Sequence, residues 1–290
     1  MTASDCSHPP DRPRILIGIC TCLKNVEKRG AVRDTWLSTC PPHVRGVFFL
    51  GEAEGAADAP EDQSAADIRV VPGVSDGYHH LPAKVRGFFK LALQAYDFDW
   101  LFKCDDDTYV AADRLGELTL GGHDHVADAA FFHYRGAGSG GAGYLLSRRM
   151  VEELAADDSL PATGAEDLIL SGAAAERCGQ VLASDRLCYH NRSYPTRENN
   201  LITSHWLSPE RMAAVHTIYT SEPWHVMAVS HPDWADEVRF YDNGVMARKS
   251  SCASGVWDVE DGEIVVMRWF EGPEDRMHVA ATPALETAQP

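Results

Sequence analysis

The sequence predicts an α/β fold, an open and mostly parallel sheet covered by helices, with a small antiparallel β appendage at its C-terminal end. Three observations predict it. Within Phe98–Val110 an apolar run, Trp100 to Phe102, leads into three consecutive acids, Asp105, Asp106 and Asp107, as a short buried strand does on reaching the edge of a sheet. Apolar strand-length runs upstream alternate with a helix-period pattern over Ala83–Tyr96. Beyond Glu222 the texture changes to short alternating segments separated by turns.

Residues 14–23 form a β-branched run almost free of polar groups and are predicted as the first buried strand. Lys24–Leu37 is a loop running into an amphipathic helix that sets Arg29, Arg33 and Trp36 on one face. Arg45–Leu50 is a second strand, Gly51–Asp67 an acidic loop too polar to pack, and Ile68–Val71 a shorter third strand. Gly73–Pro82 is a turn-rich connection into the Ala83–Tyr96 helix, whose Val85, Phe88, Phe89, Ala92 and Tyr96 keep a helical period. After the acids, Arg114–Leu118 continues a short helix and Ala129–Tyr134 is predicted as a strand. A glycine loop, 136–143, precedes Tyr144–Ser147 and a helix through Leu154. Glu166 and Asp167 open a helix ending near Cys178, and a further helix begins at Pro209. Hairpins are predicted around Asp242-Asn243-Gly244 and Glu260-Asp261-Gly262. The resulting division is a disordered N-terminus over 1–13, a main domain over 14–220, the appendage over 221–280 and a tail over 281–290.

At 290 residues, 44% hydrophobic and 24% charged, the chain has ample material for one globular core. A net charge of -17 argues against nucleic acid or an anionic membrane as the main partner. Met1–Pro13 lacks the basic and apolar regions of a signal peptide, and no apolar run reaches membrane-spanning length, so the expected compartment is cytoplasmic. The eight cysteines form no paired CxxC motif, so free thiols are expected.

Three adjacent carboxylates at a strand end repel one another and call for a cation. Hard oxygen ligands favour Mg²⁺ or Mn²⁺ bridged to a nucleotide diphosphate. The competing reading is a solvated acidic turn or a helix cap at Asp107. Glu166 and Asp167 in a first helical turn are equally explained by the helix dipole. The same acids also suit a metal-dependent phosphohydrolase, and Trp257 and Trp269 suit either sugar stacking in a non-catalytic carbohydrate-binding protein or the core of the predicted hairpins.

The order of motifs resembles the inverting β-1,3-glycosyltransferases of glycosyltransferase family 31, the galactosyltransferase and Fringe type, over roughly residues 14–220. The resemblance is carried by Arg29 with Arg33-Asp34-Thr35-Trp36, Asp67-Ile68, Asp76-Gly77-Tyr78 through Lys84, Lys103-Cys104-Asp105-Asp106-Asp107, Gly143-Tyr144-Leu145-Leu146-Ser147, Glu166-Asp167-Leu168, and His205 through Met212. His80 stands where the family usually has Asn, and Leu168 where it has Val. The resemblance implies a GT-A fold, a Rossmann-like α/β/α sandwich, binding a UDP-sugar with Mn²⁺ or Mg²⁺ and acting on a carbohydrate acceptor. It implies Asp107, Asp105 and His205 as metal ligands. It also implies Asp167, beside Glu166, as the catalytic base. Arg29, Arg33, Asp76, Lys84, Asp105, Asp106, Gly141 and Gly143 fall on its donor side.

Overall fold

The structure is a computed structural model describing residues 12–52, 65–119, 122–191, 193–231, 233–251, 253–260, 264–272 and 274–278. The expectations for most of the N-terminal stretch, the centre of the acidic loop, the turn at 261–262 and the C-terminal tail lie outside the described residues.

Strands β1 (Ile15–Cys20), β2 (Val44–Glu52), β3 (Ile68–Ser75), β4 (Trp100–Asp105), β6 (His125–Asp128), β7 (Tyr144–Ser147) and β8 (Leu182–Ser184) form one sheet in the order β3-β2-β1-β4-β7-β6-β8. Strand β7 alone runs against its neighbours; the other pairings are parallel. The strands are short runs buried on both faces, as parallel strands between helices must be. Successive side chains alternate faces. Ile15, Ile17, Ile19, Phe48 and Phe102 pack with Val32 of helix α1 (Val26–Asp34) and with Met212 and Val215 of helix α6 (Pro209–Thr220). Leu16, Val47, Phe49 and Leu101 pack on the other face with Phe88 and Phe89 of α2 (Leu81–Ala95) and Val151 and Leu154 of α4 (Arg148–Ala156). This is a Rossmann-like α/β/α sandwich.

One element differs in kind. Ala129–Arg135 is a helix, α3, and the strand lies just before it at His125–Asp128. Its aromatic residues suit a strand, but Asp128 accepts a hydrogen bond from the Phe131 amide (2.7 Å) as N-cap, and Gly136 closes the helix in the left-handed region. Local capping overrides strand propensity here.

The C-terminal sheet has six strands in sequential antiparallel order: β10 (His225–His231), β11 (Trp234–Phe240), β12 (Val245–Arg248), β13 (Ser254–Glu260), β14 (Ile264–Trp269) and β15 (Glu274–His278). The two predicted hairpins are β11–β12 and β13–β14; β10 and β15 extend the sheet on either side. His231 of β10 and Asp275 of β15 approach to 3.4 Å, so the sheet curls towards itself. Trp257 stacks on Trp224 and donates its indole N–H to the Tyr241 carbonyl, while Trp269 donates to Asp275; both belong to the sheet's own packing. Tyr241, Val245 and Ala247 join the same apolar cluster as α6, so the sheet shares a core with the main domain. Cys20, Cys22, Cys40, Cys104 and Cys178 are free thiols. Among the described residues no helix is long and apolar enough to cross a membrane.

Candidate functional site

Strand β4 ends at Asp105 and the chain turns through Asp106 and Asp107 into β5 (Tyr109–Val110). Strand β5 pairs with β9 (Thr203–Ser204), Tyr109 opposite Ser204, and this two-residue ladder delivers His205 beside the acids. The Leu207 amide then donates to the Asp107 carbonyl at 3.0 Å, fixing the register. One carboxylate oxygen each from Asp105 and Asp107 and one ring nitrogen of His205 lie within 4.8 Å of one another.

The details of this trio suit a divalent cation. Asp107 Oδ1 is buried, has no hydrogen-bond donor, and lies 3.2 Å from His205 Nε2. His205 Nδ1 donates its N–H to the Tyr189 carbonyl at 3.2 Å. In the neutral imidazole Nε2 then carries a lone pair facing a carboxylate oxygen, an arrangement that a shared cation satisfies. Burial raises the Asp107 pKa, but His205 and Lys28 outweigh it and bring the carboxyl down to about 2, keeping it ionised.

Beneath the acids lies a buried network. Lys103 Nζ donates to Asp105 Oδ1 (2.8 Å), the Gly140 carbonyl (2.8 Å) and Glu166 Oε2 (3.2 Å), and Tyr144 donates to the other Glu166 oxygen. Burial opposes the Lys103 charge, yet Asp105 and Glu166 hold it protonated, with its pKa well above the usual lysine value. Burial pushes the Glu166 carboxyl upward against the pull of Lys103 and Tyr144. Glu166 thus faces this network rather than the cleft. Asp106 is also buried, its carboxyl raised by burial; it accepts from Thr21 Oγ1 (2.6 Å) and Asn25 Nδ2 (2.8 Å), tying the β1–α1 loop to the acidic turn.

The glycine loop packs against both sides of this centre. The Gly141 carbonyl accepts from Thr108 Oγ1 at 2.8 Å, and a Cβ on Gly141 would come within 1.9 Å of the His205 ring. Gly143 has φ +99°, and a Cβ there would meet the Phe102 ring at 2.2 Å, so both positions require glycine. A Cβ on the preceding Gly140 would lie 3.6 Å from Asp167 Cβ. Asp167 is half-buried at the first residue of a π-helical turn, Asp167–Ser171, leading into α5 (Gly172–Arg177).

A cleft of about 520 Å³ opens beside the acids, lined by Thr21–Asn25, Lys28, Asp76–Tyr78, Lys84 and the three acids among others. Lys84 donates to Asp76 (3.0 Å) and to the Thr21 carbonyl (2.9 Å), and Asp76 accepts from the amides of Leu23 (2.7 Å) and Gly51 (2.8 Å), so this pair braces the cleft wall. Four predicted donor residues sit outside the cleft lining: Gly141 and Gly143 in the glycine loop, and two arginines. Arg29 is buried under the β1–α1 loop, donating to Thr21 Oγ1 and to the carbonyls of Cys22 and Leu23. Arg33 makes a two-bond ion pair with Asp67 and stacks on Phe48. Sequence reasoning missed Lys28, which is 2.9 Å from Asp107 and 3.7 Å from Asp106. Its signal was available: Lys28 lies one turn beyond Lys24 at the start of the helix after β1. Tyr78, named in the Asp76–Lys84 motif without a role of its own, is an exposed ring in the cleft wall.

Residues 27–139 match the sequence model of the Galactosyltransferase family, a span that includes Arg29, Arg33, Asp76, Lys84 and the three acids. The chain is 31% identical over 114 residues to a probable β-1,3-galactosyltransferase 13 of Arabidopsis thaliana, covering 35% of this chain and 33% of that protein. It is 28% identical over 123 residues to β-1,3-galactosyltransferase 6 of Mus musculus, covering 39% and 38%. The chain thus spans about a third of the length of the curated relatives it matches. Among solved structures it is similar to a mannosyltransferase from Pyrobaculum calidifontis in complex with GDP-Man and Mn²⁺, with a TM-score of 0.40, 14% identity, and coverage of 60% of this chain and 55% of that one. Gly141, Gly143, Glu166, Asp167 and His205 lie beyond the galactosyltransferase segment, and their place at the site rests on the geometry above.

Proposed function

We propose that the chain is an inverting, metal-dependent glycosyltransferase that moves a hexose from a UDP-sugar to a hydroxyl of a glycan or glycoconjugate, forming a β-1,3 linkage. The observation that carries the reading is the pair of acceptors, Asp107 Oδ1 and His205 Nε2, facing each other at 3.2 Å beside a lysine-lined cleft of nucleotide size. Asp105, Asp107 and His205 would hold Mn²⁺ or Mg²⁺, which when bound neutralises the charge gathering on the departing diphosphate. The match to the galactosyltransferase family supports the sugar-transfer class.

The protein's own groups have separable tasks. Lys84 and Asp76 brace the β1–α1 loop that forms the cleft wall, and Lys28 brings a cation to the edge where the diphosphate would lie. Lys103 orients Asp105 from below while Glu166 and Tyr144 fix Lys103 in turn. Asp167, across Gly140 from this network, acts as general base: it accepts the proton of the acceptor hydroxyl as that oxygen bonds to the anomeric carbon and UDP leaves with the electrons of the broken bond.

The test is calorimetric titration of UDP with Mn²⁺ present and again after chelation, on the wild type and on Asp107→Ala. Binding that needs the metal and vanishes in Asp107→Ala is expected; UDP binding indifferent to both would sink the proposal. Release of UDP from UDP-galactose that proceeds as fast without acceptor as with it would favour hydrolysis over transfer.

A further inference from the structure

Trp206, directly after His205, has φ +63°, the only non-glycine residue in the left-handed region among the described residues. A bulky residue adopts that conformation only where its surroundings impose it, and such positions gather at functional sites. Here the β5–β9 ladder pins the chain before Trp206 and the Leu207–Asp107 hydrogen bond pins it after. The outcome is an indole 57% exposed to solvent, beside the candidate metal centre. It is not isolated. The rings of Phe131 and Tyr189 lie 5.9 Å apart, those of Tyr189 and Trp206 6.4 Å, and those of Trp206 and His205 5.1 Å, all between centroids. Phe131 and Tyr189 are partly exposed as well. None of Phe131, Tyr189 and Trp206 lines the lysine-bearing cleft.

We propose that Trp206, backed by Tyr189 and Phe131, is an acceptor subsite that takes a pyranose ring by stacking its C–H face on the indole. The inference rests on the transferase reading and deepens it by placing the acceptor. Its basis is the pairing of an exposed aromatic face with polar groups nearby, which is what a sugar needs: one apolar face to cover and hydroxyls to direct. The direction is set by the glycine loop. His205 lies against Gly141 and Asp167 against the adjacent Gly140, so a ring on Trp206 is set beside the segment that separates the metal centre from the general base. A diphosphate has no use for such a face, whereas the Lys28 side of the acids has the charge it needs. The nucleotide and the acceptor thereby reach the centre from different walls.

The experiment is saturation-transfer NMR with methyl β-D-galactopyranoside and methyl β-D-glucopyranoside, in the presence of Mn²⁺ and UDP, on wild type, Trp206→Gly and Trp206→Phe. Glycine suits φ +63° without strain, so Trp206→Gly removes the ring while easing the backbone. Transfer to the ring protons of at least one glycoside is expected in the wild type, with affinity weakened about tenfold or more in Trp206→Gly and largely restored in Trp206→Phe. Undiminished transfer in Trp206→Gly, or none in the wild type, overturns the subsite. Calorimetric UDP binding on the same samples separates the two readings: metal-dependent binding with no glycoside signal removes the subsite and leaves the transferase. Loss of UDP binding in Trp206→Gly would instead make Trp206 a support for His205, which also overturns the proposal.

Discussion

At the residue scale, Lys103 is the group on which the acids depend. It is buried among Asp105, Glu166 and the Gly140 carbonyl, so removing its charge strands a buried carboxylate. Lys103→Met should destabilise the fold by about 3 to 5 kcal/mol in urea unfolding, and adding Glu166→Gln should recover part of the loss. A simple sum of the two single losses would show that the pair is not coupled. His125 offers a pH test away from the cleft. It is fully buried, shares a hydrogen bond with Ser171 (3.0 Å), and burial lowers its pKa from 6.5 to about 4. A depressed folded-state value means that the stabilising neutral form is intact above pH 6.5 and is lost as pH falls towards 4. Wild type should therefore lose roughly 2 kcal/mol between pH 7.5 and 5 through this group, and His125→Gln should flatten that part of the profile. Equal acid sensitivity in both proteins would assign the loss elsewhere.

At the scale of elements, the glycine loop, the acidic turn and the β5–β9 ladder form one interlocked unit. Thr108 and Asp105 both donate to the Gly141 carbonyl, and His205 fills the space where a Gly141 side chain would stand. Gly141→Ala should leave the fold intact while pushing His205 off Asp107. The affinity for UDP in Mn²⁺ should fall about 10- to 100-fold, as when a metal site loses its orienting shell. An unchanged affinity would show that His205 is not needed for the site. The same unit explains why Trp206 is held in a strained conformation: the ladder and the Leu207 amide leave the chain no other route.

At the scale of the whole molecule, the C-terminal sheet is not an independent attachment. Tyr241, Val245 and Ala247 are buried in the cluster that contains Met212 and Val215 of α6, and α6 covers the face of the sheet that carries β1 and β4. Calorimetry should accordingly show one cooperative unfolding transition, and Tyr241→Ala should lower it for the entire molecule, at a cost of about 3 to 5 kcal/mol. Two resolved transitions, with the first alone shifted by Tyr241→Ala, would show that the two parts unfold separately.

How much of this was legible beforehand follows from range. Burial of both faces makes parallel strands into continuous apolar runs, so Ile15–Cys20 and Trp100–Cys104 announce themselves, and with them the fold class and the acids at the sheet edge. The motif order carried the resemblance and, with it, the three metal-ligand candidates. Helix α3 was misread because its aromatic composition is local while its stop and start depend on Asp128 and Gly136. Arg29 and Arg33 show the limit most clearly. Their spacing suits a phosphate, but the carbonyls of Cys22 and Leu23 and the carboxylate of Asp67 hold them instead, and nothing in a linear pattern reveals which acceptor lies nearest. Sequence alone determined which residue types could form a metal-bridged site, because chemistry resides in side chains. Only the tertiary structure decided that His205 meets Asp107 across 98 positions of chain, that Glu166 braces Lys103, and that Trp206 faces solvent, because those contacts are made by the ladder and the glycine loop.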